Sequence, residues 1–404
     1  MTNFTNEIEP GRAAGLARLA AFVPNAGRAY RDRRNFDLGP DNRSNVSVLS
    51  PYVRHRLILE EEIAAAVLAR HSFAAAEKFL QEVCWRTYWK GWLEHRPGIW
   101  RSYLDDLGVE RDRAERNTGL RQALAAAEHG TTEIACFNAW VGELVSTGYL
   151  HNHARMWFAS IWIHTLGLPW QLGADFFLRH LLDGDAASNT LSWRWVAGLH
   201  TPGKVYFARA DNIAHYTNGR FPAARGLKTE AEAPPKISLP PASPLRPERP
   251  IPAGQPVTLL VTEEDLLPET LFADKTEVVE VLCLDTSTAI ADVSPSVAAY
   301  KRSAMADCRE RLQRVFALEP RVITLADLAA ALPARRMVVT TDIPVGPTRD
   351  AIASSLAAAG GSIDRLVECR RTWDAAFWPH AKSGFFRLKE RIPDVLNELG
   401  LAYG

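Results

Sequence analysis

The residues between 181 and 195 read LLDGDAASNTLSWRW, and they place two carboxylates, one amide and two indole rings in a short stretch. Asp183 and Asp185 flank a single glycine, and Asn189 follows four residues after the second acid. One carboxylate can pair with a buried arginine, while the other acid and the amide can hydrogen-bond a bound heterocycle. The stretch therefore predicts a binding site for a polar-edged aromatic ligand.

A second stretch, YLHNHARMWFASIW at 149–162, supplies the basic partner. Asn152, Arg155 and Met156 have spacings that can share one face of a helix. A buried Arg155 would need a carboxylate, and either Asp183 or Asp185 could provide it. The alternative is a purely structural arginine–aspartate pair.

Tryptophan is concentrated in the same part of the chain, with ten of the twelve residues between Trp85 and Trp195. The ordinary interpretation is that most of these rings fill a helical core. Apolar residues at three- and four-residue spacing before position 225, with few β-branched runs, agree with such a core.

The composition changes twice along the chain. Residues 226–256 are rich in proline and have almost no large apolar side chains, which is typical of an extended connector. After it, short β-rich runs such as VTLLVT and VVEVLCL alternate with helical stretches. The sequence predicts an α + α/β protein: a helical domain over 1–225, a Pro-rich linker over 226–256 and a Rossmann-like α/β domain over 257–404. No Gly-x-Gly-x-x-Gly follows the first strand, so no dinucleotide fingerprint supports that domain.

Charge and cysteine content exclude some classes of function. Lys plus Arg and Asp plus Glu both number 47, so any affinity for nucleic acid must come from a local basic surface. The five cysteines are scattered without a Cys-x-x-Cys pair, which indicates a reducing compartment and argues against a zinc or iron–sulfur site. With no apolar segment long enough for a bilayer, we expect a cytoplasmic protein without a membrane partner.

These motifs, in their order, resemble the FAD-binding helical domain of the cryptochrome/DNA photolyase family. The resemblance covers about residues 28–222 and includes YRDRRNF (30–36), VSVLSPYV (46–53), QEVCWRTYWKGWLEHRP (81–97) and YFARADNI (206–213). It implies FAD as the cofactor, whereas it leaves a second, antenna chromophore unidentified.

The resemblance also implies roles around the flavin. Asp183 would pair with Arg155 beside the isoalloxazine, Asp185 would face the polar edge of the ring, and Asn189 would lie near N5. Arg86 matches an arginine beside the flavin. Four further residues match positions that hold the diphosphate and ribityl chain of FAD, namely Tyr30, Ser47, Leu49 and Ser50.

Two indoles match a relay that carries an electron to the photoexcited flavin in this family. They are Trp193 and Trp170, the first two members. The third member is open between Trp100 and Trp89.

The resemblance further implies a pocket for a damaged base pair. The matching positions are Glu82, Trp85, Asn152, Met156 and Trp195, in which the indoles offer flat faces and the glutamate a polar contact for extruded bases. The function implied is blue-light-driven repair of pyrimidine dimers by electron transfer from reduced FAD, with damaged DNA as the partner. The alternative is a cryptochrome-like blue-light sensor without repair activity.

Some positions differ from the family pattern. Thr87 replaces an acid after Trp-Arg, His153 replaces a basic residue, and Arg56 replaces a glycine after Ser-Pro-Tyr. Domain order differs as well, because family members place the α/β antenna domain first. The segments at 342–366 and 383–396 resemble parts of that antenna domain, so we infer a circular rearrangement, with a generic α/β domain as the alternative.

A metal or nuclease site formed by His151-Asn152-His153 with Asp183 and Asp185 is an alternative that the sequence supports less well than a flavin site. Adjacent histidines lack the spacing of metal ligands, and the expected ββα context is missing.

Overall fold

The structure is a computed structural model that describes residues 8–200, 205–230 and 239–401. Its contacts divide the chain into two compact units, each assembled from separate segments. The first unit comprises Met1–Ile8, Arg28–Val48 and Arg96–Pro241, and the second comprises Glu9–Gly27, Leu49–His95 and Ala242–Gly404.

The first 225 residues are helical in the described ranges. The α-helices are α1 (Arg12–Phe22), α2 (Arg28–Arg33), α3 (Ser50–Arg54), α4 (Glu60–Leu68), α5 (Phe73–Glu94), α6 (Pro97–Arg116), α7 (Thr118–Glu128), α8 (Ala135–Thr147), α9 (Asn152–Ser160), α10 (Trp170–His180), α11 (Ala186–Val196) and α12 (Ala210–Tyr216). A π-helical turn over Ile161–Thr165 continues α9.

The C-terminal part alternates strands and helices as predicted. Its elements are β1 (Pro256–Val261), α13 (Glu269–Phe272), β2 (Glu277–Asp285), α14 (Pro295–Phe316), β3 (Arg321–Thr324), α15 (Leu328–Ala331), β4 (Met337–Thr341), α16 (Pro347–Ala358), β5 (Leu366–Cys369), α17 (Thr372–Phe377), α18 (Phe385–Lys389) and α19 (Ile392–Glu398). The α + α/β composition is therefore confirmed.

The five strands form one parallel sheet in the order β3-β2-β1-β4-β5. Apolar side chains run almost continuously along the central strand β1, where every residue after Pro256 is buried. Such runs are expected when both faces of a parallel strand are covered. Leu260, Leu282 and Val338 from three neighbouring strands lie in one buried apolar cluster.

Helix α5 belongs to the same compact unit as the sheet. Trp373 on α17 donates its indole N–H to the Thr87 hydroxyl on α5 over 2.9 Å. A Cβ at Gly91 would lie 2.7 Å from the Trp378 ring, so glycine permits this close approach. The domain boundaries at residues 225 and 256 stay predictions. Residues 49–95 pack with the C-terminal part of the chain in the second unit.

Local sequence explains how α9 and α11 begin in the first unit. The Asp185 carboxylate accepts hydrogen bonds from the backbone N–H groups of Ala187 and Ser188, which caps α11. The His151 side chain accepts from the His153 N–H at the start of α9. Both helices therefore start beside the motifs that the sequence singled out.

None of the helices in the described ranges is long and apolar enough to cross a membrane. The predicted cytoplasmic location stays a prediction.

Candidate functional site

Arg155 on α9 lies against Asp183 in the turn before α11. Its two terminal nitrogens donate to the two carboxylate oxygens over 3.0 and 2.9 Å, and its Nε donates to the Leu150 carbonyl. The Asp183 side chain is 2% exposed and that of Arg155 is 23% exposed. The guanidinium is thus fixed at three donors while part of it remains accessible.

Asp185 and Asn189 lie one turn apart at the start of α11. The Asp185 carboxylate caps the helix and also accepts from the Ser188 hydroxyl over 2.5 Å. The Asn189 side-chain N–H donates to the Ala174 carbonyl over 2.7 Å, and this bond fixes which end of the amide holds the oxygen. Of the two acids that could have paired with Arg155, the structure selects Asp183.

The segment before α3 carries the residues expected at the diphosphate and ribityl chain. Ser47 and Leu49 flank Val48, whose φ of 53° lies in the left-handed region. A β-branched residue rarely adopts this conformation, and such strain is concentrated at functional sites in proteins. Tyr30 and Ser50 are half-buried, and Ser50 is the first residue of α3.

Trp193 is buried in an aromatic cluster in the first unit. Its ring meets Phe177 edge-on at 5.1 Å and Trp162 at 6.2 Å between centroids. A Cβ at Gly173 would lie 2.4 Å from the ring, so Gly173 on α10 permits the contact. Trp170 begins the same helix, three residues earlier.

Trp170 is connected by ring contacts to Trp100. Tyr103 on α6 packs between them, with centroid distances of 5.5 Å to Trp170 and 5.2 Å to Trp100. Trp89, the other candidate for the third relay position, lies on α5 in the second unit beside Trp85. The contacts within the first unit connect Trp170 with Trp100, and the third relay position stays a prediction.

Three of the expected pocket residues lie on α9 and α11. Asn152 is exposed and Met156 is half-buried, on the same helix as Arg155. Trp195 is half-buried and its ring packs against Tyr206 at 5.4 Å. These side chains are accessible, as a ligand pocket requires.

The other expected pocket residues lie on α5 in the second unit. Glu82, Trp85 and Arg86 are half-buried, at positions that share one face of this helix. The Trp85 ring is stacked on Phe385 of α18. Phe385 could not be predicted from the sequence, since nothing in its local pattern connects it with α5.

His151 and His153 contact the backbone. His151 Nε2 lies 2.9 Å from the Arg34 carbonyl, and His153 Nδ1 lies 2.8 Å from the Asn35 carbonyl. Across the described part of the chain, no group of three or more His, Cys, Asp or Glu side chains is arranged to hold a metal ion. The histidines therefore anchor the 34–35 segment.

The hydrogen bonds of His151 define its protonation state. Because Nδ1 accepts from the His153 N–H, Nε2 carries the hydrogen and donates to Arg34. Burial lowers the pKa of His151 to about 4, against the opposing effects of the Asp37 carboxylate and the Arg34 carbonyl. The folded protein thus holds a neutral imidazole that the unfolded chain would protonate near pH 6.5.

We expect this imidazole to destabilise the protein in acid. The free energy of unfolding is highest above about pH 6.5, where the imidazole is neutral in both the folded and the unfolded state. It falls by about 3 kcal/mol as the pH drops towards 4, because only the unfolded chain binds the proton in this range. Urea unfolding of His151→Asn over this pH range should show a shallower decrease than that of the original protein. Equal slopes for both proteins would contradict the assignment.

Two residues that differ from the family pattern contact the C-terminal part within the second unit. Thr87 accepts the Trp373 hydrogen bond. Arg56 has a φ of 48°, which suits the glycine it replaces, and its buried guanidinium pairs with Asp374 and Asp265. Both substitutions therefore have a packing role.

Comparison with known proteins supports the resemblance. Residues 79–219 match the family model described as the FAD-binding domain of DNA photolyase. A deoxyribodipyrimidine photo-lyase of Synechococcus is 30% identical over 202 residues, which are 47% of this chain and 39% of that protein. One from Thermus thermophilus is 32% identical over 220 residues, 54% of this chain and 50% of that protein. The match thus spans half or less of each relative.

Among solved structures, a bacterial class III photolyase from Agrobacterium tumefaciens is 27% identical with a TM-score of 0.43. The structural match covers 52% of this chain and 43% of that photolyase.

Residues 79–219 therefore match the FAD-binding domain of DNA photolyase, in agreement with the resemblance that the motifs indicated. FAD is confirmed as the cofactor of this domain. The donor set fits a flavin, because a fixed, partly accessible guanidinium and an oriented amide suit its polar edge. The rearranged domain order stays a prediction.

Proposed function

We propose that this protein repairs pyrimidine dimers in DNA under blue light. The observation that carries the proposal is the placement of two groups on α9. Arg155, fixed on Asp183, serves the flavin, while Asn152 and Met156 on the same helix are accessible to a substrate. One short helix would thus connect cofactor and lesion.

Within this proposal, each residue holds or orients a group. Arg155, held by Asp183, would provide a fixed charge for the flavin, and Asn189, whose N–H donates to Ala174, would offer its amide oxygen to the ring. Asp185 fixes the start of α11 and so the position of Asn189. Four residues would hold the ribityl diphosphate chain of the cofactor, namely Tyr30, Ser47, Leu49 and Ser50. Arg86 stays a predicted flavin contact. When bound and reduced, FAD would supply light-driven electron donation to the dimer, and the electron would return to the flavin after the two bonds of the dimer break.

The lesion would be held by aromatic faces and a few polar groups. An extruded pyrimidine pair is half apolar, and each unit by itself offers groups of the kind that suits it: Trp195 and Asn152 in the first unit, Trp85 and Glu82 in the second. Phosphate contacts must come from local basic residues, because the chain has no net charge. Affinity for DNA should therefore fall steeply with salt.

The test is illumination of fully reduced, FAD-loaded protein with DNA that carries cyclobutane or (6-4) lesions. Recovery of intact pyrimidines only in the light supports repair. Lesions left untouched in single- and double-stranded DNA would refute it and favour a blue-light sensor, the second candidate for this family.

The contribution of Trp85 can be measured without light. We expect Trp85→Ala to weaken binding of dimer-containing DNA by about 1–3 kcal/mol through lost stacking, while FAD content stays the same. Fluorescence anisotropy in the dark gives the affinity, and undamaged DNA of the same sequence is the control. An unchanged affinity for the lesion would remove Trp85 from the pocket.

We further propose that the α/β segment at 257–404 is the displaced antenna domain, joined through the Pro-rich 226–256 linker. Its strand order, with β1 in the centre, is compatible with a Rossmann-like domain. The segment DIPVGPTRD, which resembles the antenna motif, starts directly after β4 at Asp342. An absorption spectrum of the purified protein would reveal any chromophore besides the flavin.

A further inference from the structure

One face of Trp85 is covered within the second unit. The centroids of the Trp85 and Phe385 rings are 3.7 Å apart and the ring planes differ by 13°. This is a face-to-face stack, closer than most aromatic pairs in proteins. A base cannot occupy this face while the stack is in place.

Phe385 is fixed by contacts of its own. Its ring meets the edge of Tyr88 at 5.5 Å, and the Tyr88 hydroxyl donates to the Ser383 carbonyl over 2.8 Å. Phe385 is 6% exposed, and Leu388 in the next turn of α18 is fully buried. The ring and the backbone two residues before it both contact α5, so Phe385 is held against Trp85.

Trp85 retains an accessible part despite this support. The residue is half-buried, and its other ring neighbours are Tyr88, met edge-on, and Trp89 at 5.5 Å and a 36° tilt. A side chain on the exposed face of a helix has rotational freedom, and the Phe385 stack restricts it. The indole is therefore presented in one orientation.

We propose that Phe385 is a positioning residue of the lesion pocket: it covers one face of Trp85 and leaves the opposite face to stack on a single extruded pyrimidine. The inference rests on the proposed function. It makes the C-terminal part of the chain, which lies outside the family match at 79–219, a contributor to substrate binding.

A double-mutant cycle tests the proposal on the full-length, FAD-loaded protein in the dark. The probe is an oligonucleotide with one thymine cyclobutane dimer, and the readout is its dissociation constant from fluorescence anisotropy. We expect Phe385→Ala to weaken dimer binding by about 2- to 10-fold, with unchanged affinity for undamaged DNA. In the Trp85→Ala background the same change should have no further effect, because Phe385 acts through Trp85.

Matched variants separate positioning from folding. Phe385→Tyr keeps an aromatic ring and should bind the dimer like the original protein, whereas Phe385→Leu keeps an apolar side chain without a ring and should bind weakly. Phe386→Ala removes a neighbouring ring that is 76% exposed, and it should change neither the affinity for the dimer nor that for undamaged DNA. If Phe385→Ala does not fold, the comparison of the tyrosine and leucine variants decides.

The outcomes distinguish this inference from the proposed function. If Trp85→Ala leaves dimer affinity unchanged, the pocket itself is wrong. If Trp85→Ala weakens binding but Phe385→Ala and Phe385→Leu do not, Phe385 has no positioning role. Tighter binding by these Phe385 variants would also overturn the proposal, since the base would then compete with Phe385 for the same face.

Discussion

Arg155→Ala should lower the free energy of unfolding by about 3–5 kcal/mol and release FAD. The physical reason is burial: Asp183 is only 2% exposed, and the substitution removes two charge-assisted hydrogen bonds from its carboxylate. Asp183→Ala should cost less stability, because Arg155 is 23% exposed and retains some contact with water. Urea unfolding, followed with and without added FAD, measures both quantities.

A second arginine–aspartate pair in the same unit provides the control. Arg111 donates to Asp175 over 3.0 Å, but its side chain is 42% exposed. Arg111→Ala should therefore cost about 1 kcal/mol or less and leave FAD bound. Equal losses for Arg155→Ala and Arg111→Ala, or retention of FAD by both, would mean that the Arg155–Asp183 pair is superficial.

The Arg155–Asp183 contact illustrates what could be predicted from sequence. Both residues lie in dense motifs, 28 positions apart, and a buried arginine requires a carboxylate nearby. Spacing alone left Asp183 and Asp185 as equal candidates. The choice depended on the capping role of Asp185, since a carboxylate that accepts from the first N–H groups of α11 is already held there.

The support of Trp85 could not be predicted in the same way. Phe385 is 300 positions from Trp85, and its local sequence, although similar to a part of the antenna domain, does not connect it with α5. Its role depends on tertiary packing that joins α5 to the C-terminal part of the chain. Local periodicity places a residue on the face of a helix, but it does not name the distant side chain that packs there.

The residues that depart from the family pattern likewise depend on tertiary contacts with distant parts of the chain. Thr87 and Arg56 lie in segments that match the family, yet their partners Trp373 and Asp374 are on α17. In the sequence each of these residues is an isolated substitution, whereas in the structure each contacts α17. The residues predicted to contact the flavin in the first unit, by contrast, depend on contacts among α9, α10 and α11, which are close in sequence.

The aromatic cluster of the first unit offers a test of the predicted electron relay. Trp193 and Trp170 are both buried, and Gly173 brings the Trp193 ring against α10 at a point three residues from Trp170. From Trp170, ring contacts continue through Tyr103 to Trp100. A series of buried aromatic rings of this kind is suited to carry an electron through the interior of a domain.

We expect Trp193→Phe and Trp170→Phe to retain FAD but to lose most light-driven reduction of the flavin by an external donor. Phenylalanine preserves apolar packing, yet it is much harder to oxidise than an indole, so the substitution interrupts the relay with little change in shape. Trp140→Phe is the matched control, because Trp140 is equally buried and stacks on Trp157 outside the predicted relay. Absorbance of the oxidised flavin under blue light, recorded for the four proteins at equal FAD content, gives the rates. Photoreduction that is as fast in both relay variants as in Trp140→Phe would show that electrons enter by another route.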